Sequence, residues 1–191
     1  MIFLCLSRKS YLKYPSRAPD LTLRDAVTSG VYNSRRANRQ YVAMTDEEIW
    51  SFLESKDRLF VAFPMRDSYP HLTPVWFCIV DKRIYLRTQD YKVKAKLAEY
   101  GKVCCSIDDG TEYKELRGVT IWGRSRVVTE EDLIQTVSGT INAKYKRVQW
   151  KESEMPRRWV AERKREHRAF IEIIPTRISS WDNRKLKKEL Q

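Results

Sequence analysis

The stretch HLTPVWFCIV, His71 to Val80, decides how this chain folds. Val, Trp, Phe and Ile in close order favour a strand, yet Pro74 stands near its start. Proline has no N–H to give to a ladder, so sheets accept it at an edge, at a bulge or in a strand's first residues. The stretch therefore predicts a strand at the rim of a sheet. There the backbone groups of Thr73, Val75 and Trp76 need partners other than a neighbouring strand. A flat heteroaromatic ring with alternating donors and acceptors is one candidate, and water on an ordinary edge strand is the other.

Both flanks read as strands too. RLFVAFP (58–64) precedes, across a turn from Arg66 to Pro70, and RIYLRT (83–88) follows a tight turn at Asp81-Lys82. The three make an antiparallel meander. YKVKAKLAEYG is a short helix stopped by Gly101 as C-cap. KVCCSID and LRGVTIWGRSRVV are two further strands around the loop Asp108-Asp109-Gly110, RAFIEIIP is another, and TRISSWD is a terminal extended piece. Helices punctuate the strands. MTDEEIWSFLES carries a capping box, Thr45 with Glu48, and an apolar face of Ile49, Trp50, Phe52 and Leu53. TEEDLIQTVSGTINAKYKRV repeats Leu133, Val137, Ile141 and Tyr145 at i, i+4 and has Thr129 as its expected cap. MPRRWVAERKREH is a third helix with Pro156 in its first turn. Five or six antiparallel strands with few, separated helices predict an α+β fold: a six-stranded Greek-key β-barrel with peripheral helices.

Residues 1–43 lack this patterning. SRKSYLKYPSRAP and NSRRANRQ are basic and turn-rich, so this part is expected to be a flexible extension with one short helix near Leu21 to Val27. Met44, where the pattern changes, is an alternative start of translation. The folded domain is expected over 44–185, with a basic tail at 186–191.

The chain has 191 residues, 42% of them hydrophobic, which is enough for one core without disulfides. Cys5, Cys78, Cys104 and Cys105 show no CxxC or zinc spacing and read as free thiols of a reducing compartment. With only His71 and His167, no metal site is expected. No apolar run approaches the ~18 residues of a membrane span, and MIFLCL precedes rather than follows the basic residues, unlike a secretory signal. A cytoplasmic protein is expected. The net charge of +12 suits nucleic acid, an anionic membrane, a phosphorylated ligand or simply a basic surface.

No GxSxG, HExxH, P-loop or GxGxxG is present, so an enzyme of this sequence would take its chemistry from a cofactor. One basic cluster falls between a strand end and a helix: Arg87, Lys92, Lys94 and Lys96, with Thr88 and Tyr91 among them. An Arg fork, lysine point charges and a neutral hydroxyl together suit one phosphate. The plain alternative is a solvated amphipathic helix.

The blocks PHLTPVWFCIVDKRIYLRTQDYKVKAKLAEYGKV, LRGVTIWGRSRVV and IEIIPTRISSWD, in that order, resemble the pyridoxamine 5′-phosphate oxidase-like family of flavin-binding split β-barrels. The resemblance runs from about Met44 to Lys185. It implies a homodimer with FMN in clefts at the subunit interface. Thr73, Pro74, Val75 and Trp76 would lie along the isoalloxazine ring, with Pro74 ending the ladder where the ring takes over. Arg87 and Thr88 would meet the ribityl chain and phosphate. Lys92, with Lys94 or Lys96, would meet the phosphate. Arg117 and Gly118 would come from the other subunit, and Trp181 would lie near the ring or in the core. The ending PTRISSWDNRKL differs from the Arg-rich, substrate-binding ending of pyridoxamine phosphate oxidases. Relatives use FMN, some use the deazaflavin F-420, and some handle haem.

The main expectation is a flavin-dependent oxidoreductase acting on a small molecule. No side chain is assigned a catalytic role; His71 is a candidate, and Tyr91 and Tyr113 are no stronger. The alternatives are a non-catalytic flavin- or haem-binding redox sensor, and a nucleic-acid binder using Arg157, Arg158, Arg163, Lys164, Arg165 and Arg168. Acidic interruptions and the lack of a reader motif disfavour the last.

Overall fold

The structure, a computed structural model, describes residues 41–65, 69–146 and 168–186. Residues 1–40 of the expected extension, with Cys5, lie outside these residues, as do the third helix and five members of the basic cluster, Arg157, Arg158, Arg163, Lys164 and Arg165. The element order is α1 (Asp46–Glu54), β1 (Leu59–Pro64), β2 (Pro70–Val75), β3 (Phe77–Val80), β4 (Arg83–Gln89), α2 (Val93–Ala98), β5 (Val103–Asp109), β6 (Arg117–Val127), α3 (Glu131–Lys144) and β7 (Arg168–Asp182). Short 3-10 turns lie at Tyr113–Glu115 and Asn183–Lys185.

All pairings are antiparallel, in the order β2-β1-β5-β6-β7-β4-β3. The two ends of that order, β2 and β3, are one stretch of chain interrupted only at Trp76. The sheet therefore rolls up on itself: a single ribbon pairs with β1 in its first half and with β4 in its second. Counted as ribbons, this is the six-stranded barrel that the sequence predicts. The connection bearing α2 crosses from β4 to β5, and α2 touches β1, β4, β6 and β7.

Alternation along the strands fills the barrel. Leu59, Val61, Phe63, Ile84, Leu86, Val119, Ile121, Ile171 and Ile173 point inward and are almost wholly buried, with Ile49, Phe52 and Leu53 of α1 and Leu97 and Ala98 of α2 closing the core. A second apolar layer lies outside the wall, where Val137 and Ile141 of α3 and Tyr145 after it pack on Cys78, Tyr85 and Phe170. The i, i+4 repeat read from the sequence is this helix face. The Asp81-Lys82 turn has positive φ at both residues (50° and 56°), the geometry that a two-residue hairpin between right-twisted strands demands.

Several local expectations change. The capping box of α1 is present, with the Thr45 hydroxyl accepting from the Glu48 N–H and the Glu48 carboxylate accepting from the Thr45 N–H. Thr129, however, does not cap α3. Glu130 holds that position, and its carboxylate is taken by Arg126. The helix α2 is capped at Glu99, and Gly101 follows in the left-handed region at φ +72°. RAFIEIIP and TRISSWD form one strand, β7, not two pieces. Between Trp122↔Arg177 and Gly123↔Pro175 the register slips by one, leaving Thr176 as the extra residue. Proline without an N–H is accommodated at such a bulge, and the Thr176 hydroxyl donates to the Trp122 carbonyl at 3.0 Å.

Cys78, Cys104 and Cys105 are free thiols. Among the described residues no group of His, Cys, Asp and Glu could hold a metal, and no helix is long and apolar enough to cross a membrane.

Candidate functional site

Where the ribbon changes partner, the wall splits. The β1–β2 ladder ends at Leu59↔Val75, and the β3–β4 ladder begins at Phe77↔Leu86. Extending the second register by one step sets Trp76 opposite Arg87, but no pair forms there. Among the described strands, β4 runs on from that point through Arg87, Thr88 and Gln89 paired with β7, while β2 runs back paired with β1. Two strand edges therefore face a gap. Pro74 lies inside the β1–β2 ladder, opposite Phe60, and pairing continues through it to Val75. The expectation that Pro74 ends the ladder is corrected: the break falls at Trp76.

A cleft of about 340 Å³ lies on the β4 side, lined by Arg87, Thr88, Gln89, Lys92, Lys94, Asn142 and Arg168. Four of these are cationic, and the described lining contains no carboxylate. Like charges gathered in one cleft raise the local potential for an anion. Arg87 is oriented by Asn142 of α3, its Nη1 donating to Oδ1 at 2.9 Å. Burial pushes the Lys94 amine below the ordinary lysine range, and neighbouring Lys92 pushes it further the same way. Lys92 caps the start of α2 and lies 4.9 Å from the Tyr91 ring centroid.

The structure thus brings together Arg87, Thr88, Lys92 and Lys94, four of the residues singled out in the sequence. Lys96 is not in the lining; it falls on an exposed part of α2. Gln89 and Asn142 are not among the residues that the sequence singles out, and Arg168, a member of the basic stripe considered for nucleic acid, lines this cleft. Arg168 comes from the start of β7 and reaches the cleft through the pairing Gln89↔Arg168, whereas Asn142, on a helix far downstream, reaches it through its bond with Arg87. His71, Tyr91 and Tyr113 do not line the cleft. His71 is on β2 opposite Phe63, and Tyr113 is 77% exposed in a 3-10 turn.

Arg117, Gly118 and Trp181 lie elsewhere on the chain. Gly118 and Trp181 are cross-strand partners, and a Cβ on Gly118 would come within 2.3 Å of the indole. The missing side chain is what lets Trp181 fold over β6. Arg117 donates to Asp109 at 2.8 Å and lies 4.8 Å from the Phe52 ring centroid. Lys56 and Arg117 together hold the Asp109 carboxyl well below the usual range. Arg117 lines a separate cleft of about 280 Å³ with Phe52, Asp182 and Arg184.

The outer face bearing Gly118 and Trp181 extends across five strands. One rung reads Leu72, Ala62, Cys104, Trp122, a row of apolar side chains on β2, β1, β5 and β6. On it Leu72 is 62% exposed, and Phe60 on the next rung is 46% exposed.

The profile of the family described as pyridoxamine 5′-phosphate oxidase matches residues 45–180. A conserved hypothetical protein of Mycobacterium tuberculosis is similar at 29% identity, with a TM-score of 0.66, over 78% of this chain and 91% of that one. The fold is shared with an FAD binding protein of Mycobacterium smegmatis (18% identity, TM-score 0.53, 72% of this chain and 95% of that one). It is shared as well with an F-420 reductase (19% identity, TM-score 0.51, 68% of this chain and 94% of that one). No curated protein matches the chain in sequence.

Proposed function

Because this chain belongs to the pyridoxamine 5′-phosphate oxidase family, we propose that it binds a flavin at the split in its barrel and acts as a flavin-dependent oxidoreductase on a small molecule. The observation that carries the reading is a cleft whose described lining gathers four cations, Arg87, Lys92, Lys94 and Arg168, at the point where β4 runs past the end of its ladder with β3. The donor set fits the phosphate end of FMN. Arg87 offers a fork of charge-assisted bonds, Lys92 and Lys94 offer point charges, and Thr88 offers a neutral hydroxyl. The β2 edge that faces away from β1 offers backbone polar groups up to Trp76 to a flat heteroaromatic ring, with Pro74 able to contribute a carbonyl but no donor. A flavin bound there supplies hydride transfer; this chain's residues fix its position and neutralise its charge. The F-420 reductase of like fold keeps the deazaflavin as the alternative cofactor.

We further propose that the molecule is a homodimer, with a second copy covering the apolar rung from Leu72 to Trp122. An exposed apolar patch of that continuity marks an interaction surface. The same face carries Gly118 and Trp181, so the partner would bring those residues, with Arg117 at the strand end, toward the cofactor of the first copy. Sedimentation of the purified chain is expected to give twice its 22.8 kDa mass; a monomer at tens of micromolar would remove this part of the reading.

The deciding experiment is an absorbance spectrum of the native protein, then titration of the apo form with FMN and with F-420. Micromolar or tighter binding of one fixes the cofactor, and steady-state oxidation or reduction of it then separates an enzyme from a binder without turnover. Colourless protein that takes neither rejects the flavin reading.

A further inference from the structure

Tyr145, the residue just after α3, sits at the one point where the ribbon changes neighbours. Carrying the β1–β2 register two residues past Leu59↔Val75 would oppose Asp57 to Phe77. That rung does not form. The Tyr145 hydroxyl stands in its place: it accepts from the Phe77 N–H at 3.0 Å, and its own proton lies between the Asp57 carbonyl at 2.7 Å and the Phe77 carbonyl at 2.9 Å. Its ring stacks on Trp76, with centroids 4.4 Å apart and planes at 4°. Beside it, Lys144 donates to the Lys56 carbonyl at 2.7 Å and lies over the Phe77 ring. One turn earlier on the same helix, Asn142 holds Arg87 on the opposite border of the split.

We propose that Tyr145 is a positioning residue for the cofactor site: its hydroxyl replaces one rung of the barrel ladder, forces the switch at Trp76, and so keeps the β2 and β4 edges apart. A strand whose N–H and C=O find a partner in a side chain has no reason to pair on with β1. The bend that results leaves the edge from Thr73 to Trp76 free of β4. Burial raises the phenol pKa to about 12, so the hydroxyl keeps its proton and both its donor and acceptor roles throughout the neutral range. The end of α3 thereby sets both borders of the split, Trp76 through Tyr145 and Arg87 through Asn142. This rests on the flavin reading for the identity of the ligand, but not for the existence of the wedge.

The test compares Tyr145→Phe with Ser125→Ala. The second loses a buried hydroxyl bond to the Ala98 carbonyl, away from the split, and serves as a control for stability alone. In the apo chains, hydrogen exchange is expected to speed up at the Trp76 and Phe77 amides in Tyr145→Phe and to stay native there in Ser125→Ala. With FMN, Tyr145→Phe is expected to bind at least tenfold more weakly and to shift the visible absorption maximum of the bound flavin, whereas Ser125→Ala keeps the native affinity and spectrum. Native exchange at Trp76 and Phe77 in Tyr145→Phe, or native affinity and spectrum, overturns the proposal. If the native chain takes neither FMN nor F-420, the flavin reading fails separately, and the exchange comparison alone then decides whether Tyr145 holds the split.

Discussion

Arg87→Ala is expected to bind FMN about a hundredfold more weakly than the native chain, and to keep its affinity for riboflavin, which lacks the phosphate, within a few-fold. Hydrogen bonds to charged groups contribute roughly 1.5–3 kcal/mol each, and an Arg–phosphate fork supplies two. Part of that is offset in the native protein, because Arg87 already has Asn142 as a partner; about 3 kcal/mol, or a hundredfold, is the net expectation. Lys94→Ala loses less, about tenfold, since a lysine is a single point charge. Lys96→Ala loses nothing measurable, because Lys96 lies outside the lining. The sign of the pH effect follows from Lys94. Its amine is depressed by burial and by Lys92, and only its protonated form attracts phosphate. FMN affinity should therefore fall as pH rises, beginning below the range where an ordinary lysine titrates, and the fall should be absent in Lys94→Ala. Fluorescence titration with both ligands measures all of this. Equal losses for FMN and riboflavin in Arg87→Ala would mean that Arg87 supports the fold and does not meet a phosphate.

The barrel was legible because its signals are local. Alternation in RLFVAFP and RIYLRT, the Asp81-Lys82 turn and the Thr45–Glu48 capping box each act over a few residues, and each survives in the structure. What the sequence hid is what depends on distant pairing. The KVKAKL run offers three lysines with equal claim; only the path of β4 and the start of α2 at Val93 separate Lys94 from Lys96. Asn142 and Arg168 reach the cleft through tertiary contacts that no spacing announces. Tyr145 was visible as the last member of an i, i+4 apolar face, and its ring does pack in that layer. Its hydroxyl, which takes the place of a strand, has no sequence signature. Likewise Thr129 has the chemistry of a cap, but Glu130 holds that position, with its carboxylate paired to Arg126.

The glutamate in RAFIEIIP shows the same limit and sets the second large effect: Glu172→Gln is expected to lower the melting temperature by about 6–12 °C at neutral pH, for a cost of about 3 kcal/mol. Glu172 is fully buried on β7, yet it lies in the middle of a donor set. Register puts Tyr85 on one side of it and Arg126 on the other. Arg83 donates to one carboxylate oxygen at 2.7 Å and the Tyr85 hydroxyl to the same oxygen at 2.8 Å, while Arg126 donates to the other. The group thus ties β4, β7 and β6 together just before β4 becomes the wall of the cleft. An amide in its place turns an NH2 toward donors, leaves the Arg83 guanidinium without its counter-charge and leaves Arg126 with Glu130 alone. Both guanidinium groups are partly exposed and recover some hydration, so the lower end of the usual 3–5 kcal/mol for breaking a buried pair applies. Burial acts to raise the Glu172 pKa, but bonds from Arg83, Tyr85 and Arg126 outweigh it and hold the carboxyl below its ordinary value of 4.5. Its contribution is therefore complete above the unfolded-state value and is lost as pH falls through the lower folded one. The gap in melting temperature between the native chain and Glu172→Gln should be constant from neutral pH down to about 5 and should narrow below 4. A gap that stayed the same to pH 3 would mean that the interior of this β4–β7–β6 junction is held by shape and not by an ionised carboxylate.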